Sequence, residues 1–174
     1  MITLETERLT LRMFRESDIE PYAEMVGDAE VMRFIGDGKL LTRPFAWRNL
    51  AMIIGHWGLR GYGLWAAEER SSGQLVGRIG LWNPEGWPGF ELGWMLRRQF
   101  WGRGYATEGA RAALDFGFTR LGQPQVISLI QPENAASIRV AERLGERLET
   151  RVEVMGQPAL LYRITRAQWA PARL

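Results

Sequence analysis

Two glycines flanking a single arginine, Gly102-Arg103-Gly104, stand where a strand-like run gives way to a helix-like one. Glycines at such a junction let successive backbone N–H groups turn toward one point. The first four N–H groups of the helix that follows lack internal partners. Together they form a nest for an anion, above all for phosphate oxygens. Two common phosphate binders do not fit. A P-loop needs Gly-Lys-Ser/Thr, and this turn has neither the lysine nor the hydroxyl. A dinucleotide fingerprint needs a third glycine where Thr107 stands, and an acid after the next strand, where Gln131-Pro132 is found. A glycine turn with no ligand stays open as the plain reading of this segment alone.

What the chain lacks bounds the rest of its chemistry. It has no cysteine, which removes disulfides, thiolate catalysis and cysteine-ligated metal sites. The one histidine, His56, leaves no partner for a Ser–His pair or a multi-histidine metal site, and reads as a helix residue near packed aromatics. No metal is expected. Of 22 basic residues only Lys39 is a lysine, and the arginines are scattered, so no nucleic-acid partner is expected. Residues 1–38 hold nine acids and four arginines, a net of −5, which leaves +7 for the remainder. The two parts are expected to face partners of opposite sign. Met1 to Arg8 has neither a basic nor an apolar leader, and the apolar stretch from Leu50 to Leu59 is broken by His56 and two glycines. A cytoplasmic protein with no membrane partner is expected.

The elements that must position the turn follow from periodicity. With 174 residues, 46% of them apolar, and no repeat or linker, the chain reads as one domain over 1–174. Leu9 to Met13 alternates like a strand. Ser17-Asp18 opens a helix to about Val26 with Ser17 as its cap, a short helix follows Asp28, and Thr42 with Pro44 starts a longer one to about Leu59. Strands are predicted at Leu64–Ala67, Leu75–Trp82 and Phe90–Leu96, with a loop over Asn83–Gly89. An amphipathic helix runs from Gly104 to about Leu121, and a short strand covers Val126–Ile130. Asn134 caps a helix ending at Gly145, and strands near 148–155 and 160–165 finish the chain. That order implies a mixed α/β sheet of about seven strands.

Trp101-Gly102-Arg103-Gly104-Tyr105-Ala106 resembles the acyl-CoA pyrophosphate signature of the GNAT superfamily of N-acetyltransferases, with Trp101 in place of the usual Gln or Arg. Leu4 to Arg12 with Glu16-Ser17-Asp18 is similar to the opening of its ribosomal-protein alanine acetyltransferase (RimJ/RimL-like) branch. Trp-Gly-x-Gly-Tyr-Ala-Thr-Glu and Asn134-x-x-Ser137 followed by Leu144-Gly145 also resemble that branch. Glu146 stands where the branch has Phe.

The resemblance implies a GNAT fold whose central sheet splays at the acyl-CoA site. It implies acetyl-CoA as cosubstrate and, as acceptor, a small-molecule amine or a protein N-terminus. The protein would act as a monomer or homodimer. Backbone groups near Trp94 and Leu96 would hold the pantetheine arm, one N–H there polarising the thioester. The N–H groups from Gly102 through Arg103, Gly104, Tyr105 and Ala106 to Thr107 would hold the pyrophosphate. Asn134 would hydrogen-bond pantetheine, or only cap its helix. Ala141 replaces the tyrosine that many members use to protonate the thiolate, and Ser137 matches the serine of the RimL-like branch. Glu91 is the candidate base, with an ion-paired strand carboxylate as the alternative. A second base position matches Gly156, with Glu153 the nearest acid. A catalytically inactive CoA-binding module on the same fold is the alternative function. Glu16, Asp18, Glu20, Glu24, Asp28, Glu30 and Asp37 form a solvated helix face or, if some of them line the acceptor cleft, imply a cationic amine as acceptor.

Overall fold

Alternation builds the sheet. In the computed structural model, which describes residues 2–169, Leu9 and Leu11 are fully buried while Thr10 and Arg12 are only partly so. That period of two makes β2 (Leu9–Arg12) a strand with one face on the core. β2 pairs antiparallel with β3 (Leu64–Glu69), β3 with β4 (Leu75–Trp82), and β4 with β5 (Glu91–Leu96). β3 starts Leu-Trp-Ala-Ala with all four residues buried, because helices cover both faces of the sheet.

Three helices lie between β2 and β3: α1 (Ile19–Val26), α2 (Ala29–Met32) and α3 (Arg43–Arg60). Ser17 does not cap α1. Residues 16–18 form a single tight turn, and Asp18, almost fully buried, binds the Arg12 guanidinium at 2.7 and 2.8 Å. Asp28 does cap α2, accepting from the Glu30 N–H at 2.9 Å. α4 (Tyr105–Thr119) covers the opposite face. It packs closely because Gly109 has no side chain; a Cβ there would lie 2.5 Å from Ile79 of β4.

After α4 come β6 (Gln125–Ile130), α5 (Ala135–Leu144), β7 (Arg147–Val154), β8 (Gln157–Thr165) and the short α6 (Arg166–Trp169). Among the described residues the sheet has eight strands, in the order β1-β2-β3-β4-β5-β6-β8-β7. The strand beyond the expected seven is β1 (Leu4–Glu5), two residues paired with β2 and too short to show a period. β5 and β6 are parallel neighbours that share one pair in register, Glu91 with Ile127, and then part. The mixed α/β sheet is thus open at its centre.

Candidate active site

The parting of β5 and β6 has a side-chain cause. The Ile127 N–H donates to the Phe90 carbonyl at 2.9 Å, and a regular parallel ladder would next send the Leu129 N–H to the Leu92 carbonyl. Both groups are diverted. The Leu92 carbonyl accepts from Ser128 Oγ at 2.9 Å, and the Leu129 amide turns its field on the Glu91 carboxylate. Beyond this wedge the strand alternation aims the N–H and C=O of Trp94 and of Leu96 at the gap, since Glu91, Gly93 and Met95 bond toward β4.

The glycine turn sits below that gap. Gly102 and Gly104 have φ of 74° and 82°, a left-handed backbone that glycine adopts freely. Gly104 is the residue before α4, whose first helical bond runs from the Glu108 N–H to the Gly104 carbonyl. The N–H groups of Tyr105, Ala106 and Thr107 therefore have no helical partner. A Cβ at Gly102 would meet nothing within 4 Å, so the turn is open at that glycine. A clamp holds the turn: Arg8 Nη1 donates to the Arg103 carbonyl at 2.9 Å while its Nε donates to Glu108 at 2.7 Å.

On the α3 side of the sheet the same gap opens into a cavity of about 1250 Å³. Glu91 and Gly93 form part of its floor, His56 and Met52 of α3 its roof, and Trp82, Trp87 and Met155 its outer wall. The Trp87 indole donates to Glu91 at 2.7 Å. Burial pushes the Glu91 carboxyl up to about 7, although Trp87, the Leu129 amide and the charge of Arg78 all favour its ionised form. Behind it lies a second buried carboxyl, Glu146, raised to about 8 by burial, opposed by the Ser128 hydroxyl and reinforced by the Glu91 charge. Ser128 Oγ is 3.0 Å from Glu146 as well as 2.9 Å from the Leu92 carbonyl. The single Ser128 hydrogen is thus placed between two acceptors, the Leu92 carbonyl and Glu146.

A strand parted from its parallel neighbour above a glycine turn, with a carboxylate at the parting, is a defined arrangement, and its sequence is matched by a known family. The acetyltransferase (GNAT) domain family matches residues 8–147. This chain belongs to the GNAT acetyltransferases. The acetyltransferase is 34% identical to the uncharacterized protein YkkB of Bacillus subtilis (strain 168), over 91% of this chain and 93% of that one. Among solved structures, the acetyltransferase from Agrobacterium tumefaciens superposes with a TM-score of 0.84, 32% identity and 94% of each chain covered. RimL, the ribosomal L7/L12 alpha-N-protein acetyltransferase in complex with coenzyme A, superposes at 0.79 over 94% of this chain and 98% of that one. At 17% identity that likeness concerns the fold alone.

Within this acetyltransferase the residues singled out by sequence divide into two groups. Trp94, Asn134, Ser137 and Glu91 all line the cavity. The Trp94 indole donates to Ser137 Oγ at 3.2 Å across the gap, and Asn134 Oδ1 caps α5 through the Ser137 N–H at 3.1 Å. The Leu96 carbonyl accepts from the Trp101 indole at 2.8 Å. Glu91 is not ion-paired; its short contact is an indole. Glu153 is absent from the cavity lining, where its neighbours Val154 and Met155 stand.

The acidic N-terminal region contributes none of its carboxylates to this cavity: none of Glu16, Asp18, Glu20, Glu24, Asp28, Glu30 and Asp37 is among the lining residues. Asp18, Glu20, Glu24, Asp28 and Asp37 instead face Arg12, Arg43, Arg97, Arg98 and Lys39. From that region the cavity takes Phe34, Ile35 and Gly36.

His56 is the helix residue expected. It stacks on Trp82 at 4.3 Å, its Nδ1 lies 2.9 Å from the Tyr62 carbonyl, and its Nε2 accepts from the Asn83 N–H. Both nitrogens are used and burial lowers its pKa, so the ring stays neutral and is no free base. Sequence reasoning missed Ser128, the Arg8–Glu108 clamp and the role of Glu146. For Glu146 a signal existed: an acid directly after Leu144-Gly145, where a buried residue is the rule. Among the described residues no helix is long and apolar enough to cross a membrane, and no three His, Asp or Glu cluster as a metal site would require.

Proposed function

We propose that this chain transfers an acetyl group from acetyl-CoA to a primary amine, a small-molecule amine or a protein N-terminus, by direct attack in a ternary complex. One observation carries the reading: the unpaired edge of β5 at Trp94 and the buried carboxyl of Glu91 open onto the same cavity at the same parting of strands. Family membership supports acetyl-CoA as cosubstrate. The turn fits it locally, because the first amides of α4 have no helical partner and Gly102 is exposed. When bound, acetyl-CoA supplies the acetyl group as an activated thioester.

The chain's own groups then have separable tasks. Amides from Gly102 to Thr107 bind the pyrophosphate, a backbone contact that Trp101 does not obstruct. The Trp94 N–H, fixed in the strand, is aimed where charge develops on the carbonyl oxygen, an arrangement worth a few kcal/mol in related chemistry. Glu91 takes the proton from the amine, directly or through water. Ser137 serves the leaving sulfur. An indole N–H can only donate, so Trp94 fills an acceptor position on Ser137 Oγ and leaves the serine's own hydrogen for the thiolate. Asn134 Oδ1 is used as a cap, which leaves its amide nitrogen for pantetheine.

Thiol release measured with an amine panel, beside calorimetry with acetyl-CoA, tests the reading. Ser137→Ala is expected to lower turnover about tenfold or more while leaving acetyl-CoA affinity nearly intact, because its bond matters as charge grows on sulfur. Micromolar binding with no thiol release for any amine would instead describe a CoA-binding module.

A further inference from the structure

Of the four charged residues in the cavity lining, Arg60 and Glu85 form an ion pair, while Arg78 and Glu91 are in none among the described residues. Arg60 faces Glu85 at 3.5 Å, and Glu91 is bound by Trp87. Arg78 of β4, also part of the lining, has no carboxylate within ion-pair distance among the described residues. Its Nη1 donates to the Tyr22 hydroxyl at 3.0 Å and to Asn49 Oδ1 at 3.3 Å, neutral groups on α1 and α3. Tyr22 is fully buried, so this end of the guanidinium is anchored. Nε and Nη2 make no hydrogen bond among the described residues. A planar guanidinium with one corner fixed and the others free suits a carboxylate in forked geometry.

Register gives this cation its meaning. Across β4 and β5, Arg78 lies opposite Met95, Gly80 opposite Gly93, and Trp82 opposite Glu91. The period of two sets Arg78, Trp82, Gly93 and Glu91 on one face. Gly93 is midway, two residues or about 6.7 Å along the strand from the level of Arg78 and as far from that of Glu91. A Cβ at Gly93 would meet nothing nearer than Leu64 at 3.9 Å, so the floor there is bare. The backbone of Trp94 is next to it, and under the proposed acetyl transfer, on which this inference rests, the attacking nitrogen comes down over Gly93. An acceptor nitrogen so placed has a base on one side and, on the other, a fixed cation that acts on Glu91 only at a distance. The remaining wall is aromatic and aliphatic, with Trp82, Trp87 and Met52.

We propose that Arg78 binds a carboxylate of the acceptor, and that the preferred acceptors are amines carrying an acid group on an apolar or aromatic body, as in hydrophobic amino acids. A polycationic amine is the class this cavity disfavours, since Arg78 repels it and the acidic residues of the N-terminal region lie elsewhere.

The test uses aromatic and aliphatic L-amino acids and their carboxamides as probes with the full chain and CoA. Binding is read from the fluorescence of the cavity tryptophans, and kcat/KM from thiol release with acetyl-CoA. Wild type is expected to prefer each acid over its carboxamide at least tenfold in both readouts. In Arg78→Gln that ratio falls to near one, with acetyl-CoA affinity kept. Carboxamides that bind as tightly as acids, no saturable binding of any acid, or an unchanged ratio in Arg78→Gln would each overturn the proposal. If Arg78→Gln does not fold, Arg78→Lys serves, since an ammonium loses the fork: a reduced ratio supports the assignment and an unchanged one defeats it. Acids that bind through Arg78 but release no thiol would leave this site standing and sink the acetyl-transfer reading. Thiol release indifferent to the carboxylate would do the reverse.

Discussion

Glu91 and Glu146 show how burial turns a common side chain into a titrating device at neutral pH. Glu91 is held up to about 7 by burial, and a base must be ionised to work, so kcat/KM is expected to rise with pH through about 7. Glu91→Gln should lower kcat/KM by roughly 10²–10⁴-fold and flatten that limb, as a pH–rate profile of thiol release would record. A profile superimposable on wild type would reassign the base. Glu146 makes the complementary prediction for stability. Its carboxyl is raised from 4.5 to about 8, so the folded state holds the proton more tightly than the unfolded one. Its stabilising effect is complete below the ordinary carboxyl range and is lost as pH rises toward 8. Glutamine keeps a donor for Ser128 and cannot ionise. Glu146→Gln should therefore match wild type in urea melts near pH 4 and become the more stable protein, by a few kcal/mol at most, above about pH 8.

At the scale of elements, two short pieces of backbone do the positioning. The first is the parted pair β5–β6, where Ser128 occupies the carbonyl that would have continued the ladder. The second is the turn before α4, whose glycines hold left-handed φ and lead into amides with no helical partner. Valine at position 104 combines a β-branched side chain with a φ of 82° and a Cβ 3.4 Å from the Arg8 guanidinium. Calorimetry on folded Gly104→Val is expected to show an acetyl-CoA dissociation constant at least tenfold higher, about 1.4 kcal/mol. Unchanged affinity would remove the turn from the site. Trp101, unusual for the signature, has a local explanation: its indole satisfies the Leu96 carbonyl at the mouth of the gap.

For the molecule as a whole, charge is arranged differently from its arrangement along the chain. The N-terminal acids are mostly matched by arginines of other elements, such as Arg43 and Arg97, or by near neighbours, such as Lys39 beside Asp37. Little negative field from those acids is left to steer a cationic acceptor toward the cavity, whose lining sets Arg60 and Arg78 against Glu85 and Glu91. For a cationic amine, kcat/KM is expected to change by less than about threefold between roughly 50 and 500 mM salt, because none of the N-terminal acids is among the cavity's lining residues. A steep fall over that range in steady-state kinetics would restore a steering role to those acids.

The sequence alone determined the order of elements, the site's glycine turn and the family, since each is written in local terms: a period of two or 3.6, a glycine where φ turns positive, a cap before a helix. It also singled out Trp94, Ser137, Asn134 and Glu91, which all line one cavity: Asn134 and Ser137 share a helix turn, whereas Glu91 and Trp94 lie on opposite faces of β5. Ser17 misled because Asp18 beside it is drawn to Arg12, six residues away on a different element. Tertiary structure alone decided which charges meet. Arg8 finds Glu108 a hundred positions on, Arg78 finds Tyr22, and Glu146 reaches Ser128 behind the parted strands. Those meetings depend on strand order and on which face each helix covers. A period is blind to both, so the sequence could propose a base but not the environment that brings it to neutral pH.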